Sequence, residues 1–125
     1  FLLVSRLAGL SRRIDQRVDL MIEHGLLAEA RNIYDRGYSR SLPAMQSIGY
    51  RQLFEVFDGK STLEHAVEQI KLDTRHFAKR QLTWFRRDKR IRWSDASDFE
   101  TIKEELTQRS ADLTMRWMDE KELFE

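Results

Sequence analysis

Apolar positions recur with the 3.6-residue period of α-helices along most of this chain, and only its first residues break that rhythm. Phe1 to Leu7 is short and apolar and reads as one strand, with no evident partner elsewhere in the sequence. Ser11 is placed to cap a helix running to about His24, with Gly25 in the position just past a helix end. Ile14, Val18, Met21 and Ile22 form its inward stripe, and Arg13 and Arg17 flank that stripe. A second helix, about Leu27 to Arg36, turns Ala30, Ile33 and Tyr34 inward and stops at Gly37. Pro43, the only proline, suits the first turn of a third helix that reaches Phe57. That helix is apolar on most sides, through Met45, Ile48, Tyr50, Leu53, Phe54, Val56 and Phe57, and is therefore expected at the centre of the packing. Gly49 falls in its middle, where it costs about 1 kcal/mol relative to alanine, so a close backbone approach is expected there.

Ser61 and Glu64 have capping-box spacing for a long fourth helix ending near Arg87. At about 100° per residue, Leu63, Ala66, Val67, Ile70, Phe77, Trp84 and Phe85 share one broad apolar side, and the three aromatics read as core. Gln81 falls within that side and would need hydrogen-bond partners if buried; Gln46 is a similar amide near a packed surface. Arg75, Lys79 and Arg86 form a second row, and His76, Arg80 and Arg87 a third. After a short extended piece, Arg90 to Trp93, Ser97 and Glu100 open a fifth helix with Phe99, Ile102, Leu106, Leu113 and Trp117 inward. The fold class is mainly α, about five helices with a short N-terminal strand.

Charge changes this picture more than composition does. The 125 residues carry a net charge of only +1, yet Lys71 to Arg92 holds nine basic residues against two acidic ones, or +7. Trp93 to Glu125 holds four basic against ten acidic, or −6. The basic rows lack the i+4 acids of a solubilising face, and unanswered like charges repel, so the fourth helix is expected to meet a polyanion such as RNA or a diphosphate. Cysteine is absent, which excludes disulfides and thiolate zinc sites, and the three histidines lack metal-ligand spacing. No apolar run approaches the ~20 residues of a membrane span. Neither G-x-x-x-x-G-K-[ST] nor G-x-G-x-x-G occurs, and no nucleophile–base set is suggested. These residues describe a helical module facing a polyanion without complete catalytic apparatus; a stand-alone RNA- or protein-binding module fits them too.

Three segments narrow the choice. RRIDQRVDLMIEHGLLAEARNIYDRGY, AMQSIGYRQLFEVFDG and TRHFAKRQLTWFRRDKRIRW, in this order and spacing, closely resemble the C-terminal third of bacterial tRNA dimethylallyltransferases, the tRNA isopentenyltransferase family. The resemblance covers Phe1 to Trp93, so residues 1–95 would be the C-terminal helical part of that core and 96–125 an acidic helix outside the match. It implies a fragment of a larger P-loop-type α/β enzyme, nucleotide-binding in ancestry. That enzyme would be cytoplasmic and monomeric, without membrane attachment, and would use magnesium that this fragment does not bind. The implied reaction moves the dimethylallyl group of dimethylallyl diphosphate onto N6 of the adenosine 3′ of the tRNA anticodon. The fragment would supply a channel wall and be inactive alone. R-x-x-x-R-V at Arg13 to Val18 puts Arg17 where the family has a diphosphate-contacting arginine. T-R-x-x-A-K-R-Q puts Arg75, Lys79, Arg80 and Gln81, with Arg86 beyond them and Gln46 on the preceding helix, on a tRNA-facing wall.

Overall fold

The computed structural model describes the backbone of residues 2–4, 7–95 and 97–122, and side chains for 9–94 and 97–112. The chain divides into two compact units, Ala8–Lys89 and a second formed by Phe1–Leu7 with Arg90–Glu125.

The larger unit holds four helices: α1 (Leu7–Glu23), α2 (Leu26–Asp35), α3 (Tyr50–Phe57) and α4 (Leu63–Arg87). Val18, Ala30, Leu53, Phe54, Ala66 and Ile70 form its buried core, one or two residues from each helix. The expected stripes of α2, α3 and the start of α4 meet there. Around the core, Arg40 lies over the Tyr34 and Phe54 rings at 5.0 and 4.6 Å while its guanidinium holds both oxygens of Asp58 at 3.1 Å. Tyr34 donates its hydroxyl to Asp58 at 2.7 Å. That bond, with the Arg40 charge, holds the Asp58 carboxyl below the usual carboxylate range, and the same bond raises the Tyr34 phenol against the opposing pull of Arg40.

Several expectations change. α1 begins at Leu7, so Ser11 lies inside it and is no cap; Gly25, at φ 103°, does end it. Met21 is 41% exposed, outside the buried stripe. The third helix is two pieces, a 3-10 turn over Pro43–Gln46 and α3, separated at Ser47 to Gly49. Gly49 is therefore the residue that caps α3, not a mid-helix glycine. A Cβ there would meet nothing within 4 Å; glycine is required by φ 105°, not by a close approach. The fourth helix is capped one residue later than expected, by Thr62, whose hydroxyl accepts from the His65 N–H at 3.2 Å.

Gln52 explains why α3 starts where it does. Three residues past Gly49, it is 5% exposed, and its side-chain oxygen accepts the Gly49 N–H at 2.8 Å. Its amide nitrogen donates to Asp73 Oδ2 on α4 at 2.7 Å, an oxygen that also accepts from Arg51 at 2.9 Å. Both ends of a buried amide are thus satisfied, and one carboxylate ties the α3 start to the middle of α4.

In the smaller unit, β1 (Leu2–Val4) pairs in parallel with β2 (Trp93–Asp95), in the register Leu2 to Trp93. The first strand's partner is thus the extended piece that follows the basic helix. α5 (Phe99–Glu122) buries Ile102, whereas Phe99 and Leu106 are 66% and 48% exposed, against expectation; the side chains of Leu113 and Trp117 lie outside the described residues. With every third or fourth position only partly apolar, α5 has too narrow a stripe to bury all of it.

Replacing Gln52 by leucine would leave the Gly49 N–H and the Asp73 carboxylate short of a partner and should cost about 2–3 kcal/mol. Asp73→Asn, which keeps an acceptor for the same amide, should cost less than half of that. Urea midpoints of the two variants at neutral pH test this ordering.

Candidate functional site

α4 is the longest helix, 25 residues or about 37 Å, and its two halves live in different surroundings. Ala66 and Ile70 are buried, but the core ends there. Phe77 and Trp84 continue the same side of the helix past the reach of α2 and α3, and are 47% and 65% exposed; Phe85 is half-buried, its ring edge-on to Trp84 at 5.1 Å. Gln81, on that side too, is exposed. The expectation of aromatic core and a buried glutamine fails for a simple reason: a helix of 25 residues outruns the short α2 and α3, of 10 and 8 residues, and with them the buried core.

The basic residues divide in the same way. Lys71 donates to Asp19 of α1 at 2.8 Å and to Glu68 at 3.3 Å, and the Asp19 bond raises its ammonium pKa above the ordinary lysine value. Arg75 pairs with Asp15 of α1 at 2.5 Å. Beyond them, Lys79, Arg80, Arg86 and Arg87 are exposed, and none has an ion-pair partner among the described residues. Arg86 and Arg87 occupy the last helical turn, where the helix dipole favours cations but leaves them available to an anion. The C-terminal half of α4 therefore presents four unneutralised cations beside exposed aromatic rings, chemistry suited to a phosphate backbone with unstacked bases.

Arg17 lies elsewhere. It lines a shallow depression of about 260 Å³ with Leu20, Met21, His24, Leu26 and Glu29. It is exposed and bridges neither Asp15 nor Glu23: Asp15 faces α4, about 200° around α1 from Arg17. Glu29 accepts the hydroxyl of Tyr50, an interaction that raises the Tyr50 phenol above its usual range, with burial second. Gln46 is exposed, its amide donating to the Arg40 carbonyl at 3.3 Å. The structure thus gathers Lys79, Arg80, Gln81 and Arg86 on one half-helix, ties Arg75 to α1, and sets Arg17 on the far side of α1.

Reading the sequence missed Gln52, Asp73, Asp15 and Asp19. Gly49 and Gln52 have the spacing of a helix N-cap and its third residue, and Asp15/Asp19 share the i, i+4 spacing of Lys71/Arg75; both signals were present but pair only across helices or around a turn. Among the described residues no three His, Cys, Asp or Glu side chains come together to hold a metal ion. Nor is any helix among them long and apolar enough to cross a membrane.

Residues 1–88 match the family model described as IPP transferase. The tRNA dimethylallyltransferase of Geobacillus kaustophilus is 51% identical over 90 residues, covering 72% of this chain and 28% of that protein. That of Carboxydothermus hydrogenoformans is 53% identical over 89 residues, again 28% of its length. The chain thus spans under a third of these curated relatives. Among solved structures, the full-length tRNA isopentenylpyrophosphate transferase of Bacillus halodurans superposes with a TM-score of 0.79 at 40% identity, over 88% of this chain and 37% of that one. The corresponding Staphylococcus epidermidis enzyme gives the same TM-score at 33% identity. With the family model matched across α1 to α4 and relatives above half identity over the same span, this chain belongs to the IPP transferase family.

Proposed function

We propose that this chain is the C-terminal portion of a tRNA dimethylallyltransferase and supplies one wall of its donor and tRNA channel. The observation that carries this reading is the division of α4: the half beyond its core residues Ala66 and Ile70 bears Lys79, Arg80, Arg86 and Arg87 without ion-pair partners among the described residues, beside exposed Phe77 and Trp84. In the proposed role these cations answer tRNA phosphates near the anticodon arm, while Gln81 and Gln46 offer exposed amides for hydrogen bonds. Arg75 enters differently. Bound to Asp15, it contributes its charge to the wall but not a free guanidinium.

In the reaction, the N6 nitrogen of adenosine forms a bond to the allylic C1 of dimethylallyl diphosphate as the C1–O bond breaks. The diphosphate leaves with the bonding pair, and N6 gives up a proton. Negative charge builds on the departing oxygens, and a guanidinium can bind two of them at once. Arg17 is suited to this because it is exposed and makes no ion pair among the described residues. The sequence holds no phosphate loop of the G-x-x-x-x-G-K-[ST] kind, and in this reading transfer needs the rest of the enzyme.

In a complete transferase carrying this segment, Arg17→Ala should raise the KM for dimethylallyl diphosphate or cut kcat by about 10²-fold, with tRNA affinity and melting temperature nearly unchanged. Arg17→Lys should recover only part of that loss, because an ammonium lacks the fork. Steady-state kinetics with varied donor check both; a stability loss with donor kinetics untouched would make Arg17 structural. For tRNA, replacing Lys79, Arg80 and Arg86 by glutamine should reduce the slope of log K against log salt by roughly 0.7–0.9 per lost phosphate contact. Arg75→Gln should leave that slope nearly intact. Filter binding from low to moderate salt distinguishes the two.

A further inference from the structure

α1 is held on its two sides by unequal means. Among its described residues only Val18 is buried, with Ile22 packed against the core edge, which is a narrow apolar seam for a 17-residue helix. A seam that narrow fixes where the helix lies better than how far it is rolled about its axis. The roll is set by a ladder of charges beside the seam. Asp15 meets Arg75 and Asp19 meets Lys71, four residues apart on both helices and in opposite order, as two antiparallel helices require. Lys71 is only 14% exposed in its side chain, so this rung is partly withdrawn from water and is screened less than a surface pair. Two rungs about 6 Å apart along the axis resist roll in a way one cannot.

The consequence falls on the opposite side of the helix. Arg17 lies between the two aspartates in sequence and about 160–200° from them around the axis, so whatever sets their direction also sets its direction. A roll of ~20° would carry a side chain at the ~6 Å helix radius by about 2 Å, and a misplacement of about 1 Å at a reacting group can cost 10²-fold in rate. Arg17 reaches out from the Leu20, Met21 and His24 side of α1, where no ion pair of its own among the described residues corrects its aim.

We propose that Asp15 and Asp19 are positioning residues: their ladder to Arg75 and Lys71 locks the roll of α1 and thereby aims Arg17 at the leaving diphosphate. This rests on the role proposed for Arg17, and it assigns to two acids of a basic wall a part in donor use.

The test is a double-mutant cycle in a complete transferase carrying this segment, read as donor KM and kcat. Asp15→Ala should lower kcat/KM for dimethylallyl diphosphate by about tenfold and leave tRNA affinity within twofold. Asp15→Glu, which keeps a carboxylate able to follow Arg75, should recover most of it. In an Arg17→Ala background the same Asp15→Ala change should have no further effect on donor kinetics, because the group it aims is gone. If Arg17→Ala alone lowers donor kinetics but the effects of Asp15→Ala and Arg17→Ala multiply, or Asp15→Ala changes only the melting temperature, the aiming role is overturned while the role of Arg17 stands. If Arg17→Ala itself leaves donor kinetics unchanged, the underlying reading of Arg17 fails first. Should Asp15→Ala not fold, Asp19→Asn in the same cycle gives the same two outcomes, since the second rung keeps its length and loses only charge.

Discussion

A single carboxylate on α4 organises much of the larger unit. Asp73 accepts from Gln52 and Arg51, and Gln52 in turn fixes the Gly49 N–H in a backbone conformation that other residues rarely adopt. A polar junction built on a buried amide is costly to leave half-made, so it admits one arrangement of α3 on α4 rather than a family of sliding ones. The hydrophobic contacts of Leu53, Phe54, Ala66 and Ile70 supply attraction without direction. The hydrogen-bonded network supplies the register. From that register follows the placement of the other rungs, Asp15 with Arg75 and Asp19 with Lys71, on another side of the same helix.

α4 thus gives its first half to the buried core and carries its second half beyond it, and its charges follow suit. Lys71 and Arg75 are consumed by α1, whereas Lys79, Arg80, Arg86 and Arg87 have no ion-pair partner among the described residues. A basic run that looks uniform in sequence is two surfaces with different work. One joins helices, and the other is proposed to face tRNA. The exposed rings of Phe77 and Trp84 belong with the second half.

The helices, their order and the core residues Val18, Ala30, Leu53, Phe54, Ala66 and Ile70 were legible because periodicity reports which side of a helix is apolar. Periodicity could not report where cover stops, so Phe77, Gln81 and Trp84 read as interior although the helix outruns its neighbours. It also joined the 3-10 turn to α3, because Gly49 looks like a tolerated helix residue until its φ and the Gln52 bond are seen. The ion pairs between α1 and α4 join residues about 50–60 positions apart, and the i, i+4 spacing that Asp15/Asp19 and Lys71/Arg75 share does not say that the two pairs meet. For the site, the family motifs located Arg17, Lys79, Arg80 and Arg86 as exposed cations, but the sequence alone could not separate them from Arg75, which is equally basic and differently employed.

The division of α4 is measured most directly by amide hydrogen exchange on this 125-residue chain, resolved along the helix. Protection should be high from Ala66 to Arg75, where core packing, the Asp73 junction and the ladder to α1 coincide, and should fall by at least an order of magnitude from Phe77 to Arg87. Asp73→Ala should lower protection in the first half towards that of the second. Uniform protection along all of α4, unmoved by Asp73→Ala, would contradict the claim that one junction divides the helix into a gripped half and a free one.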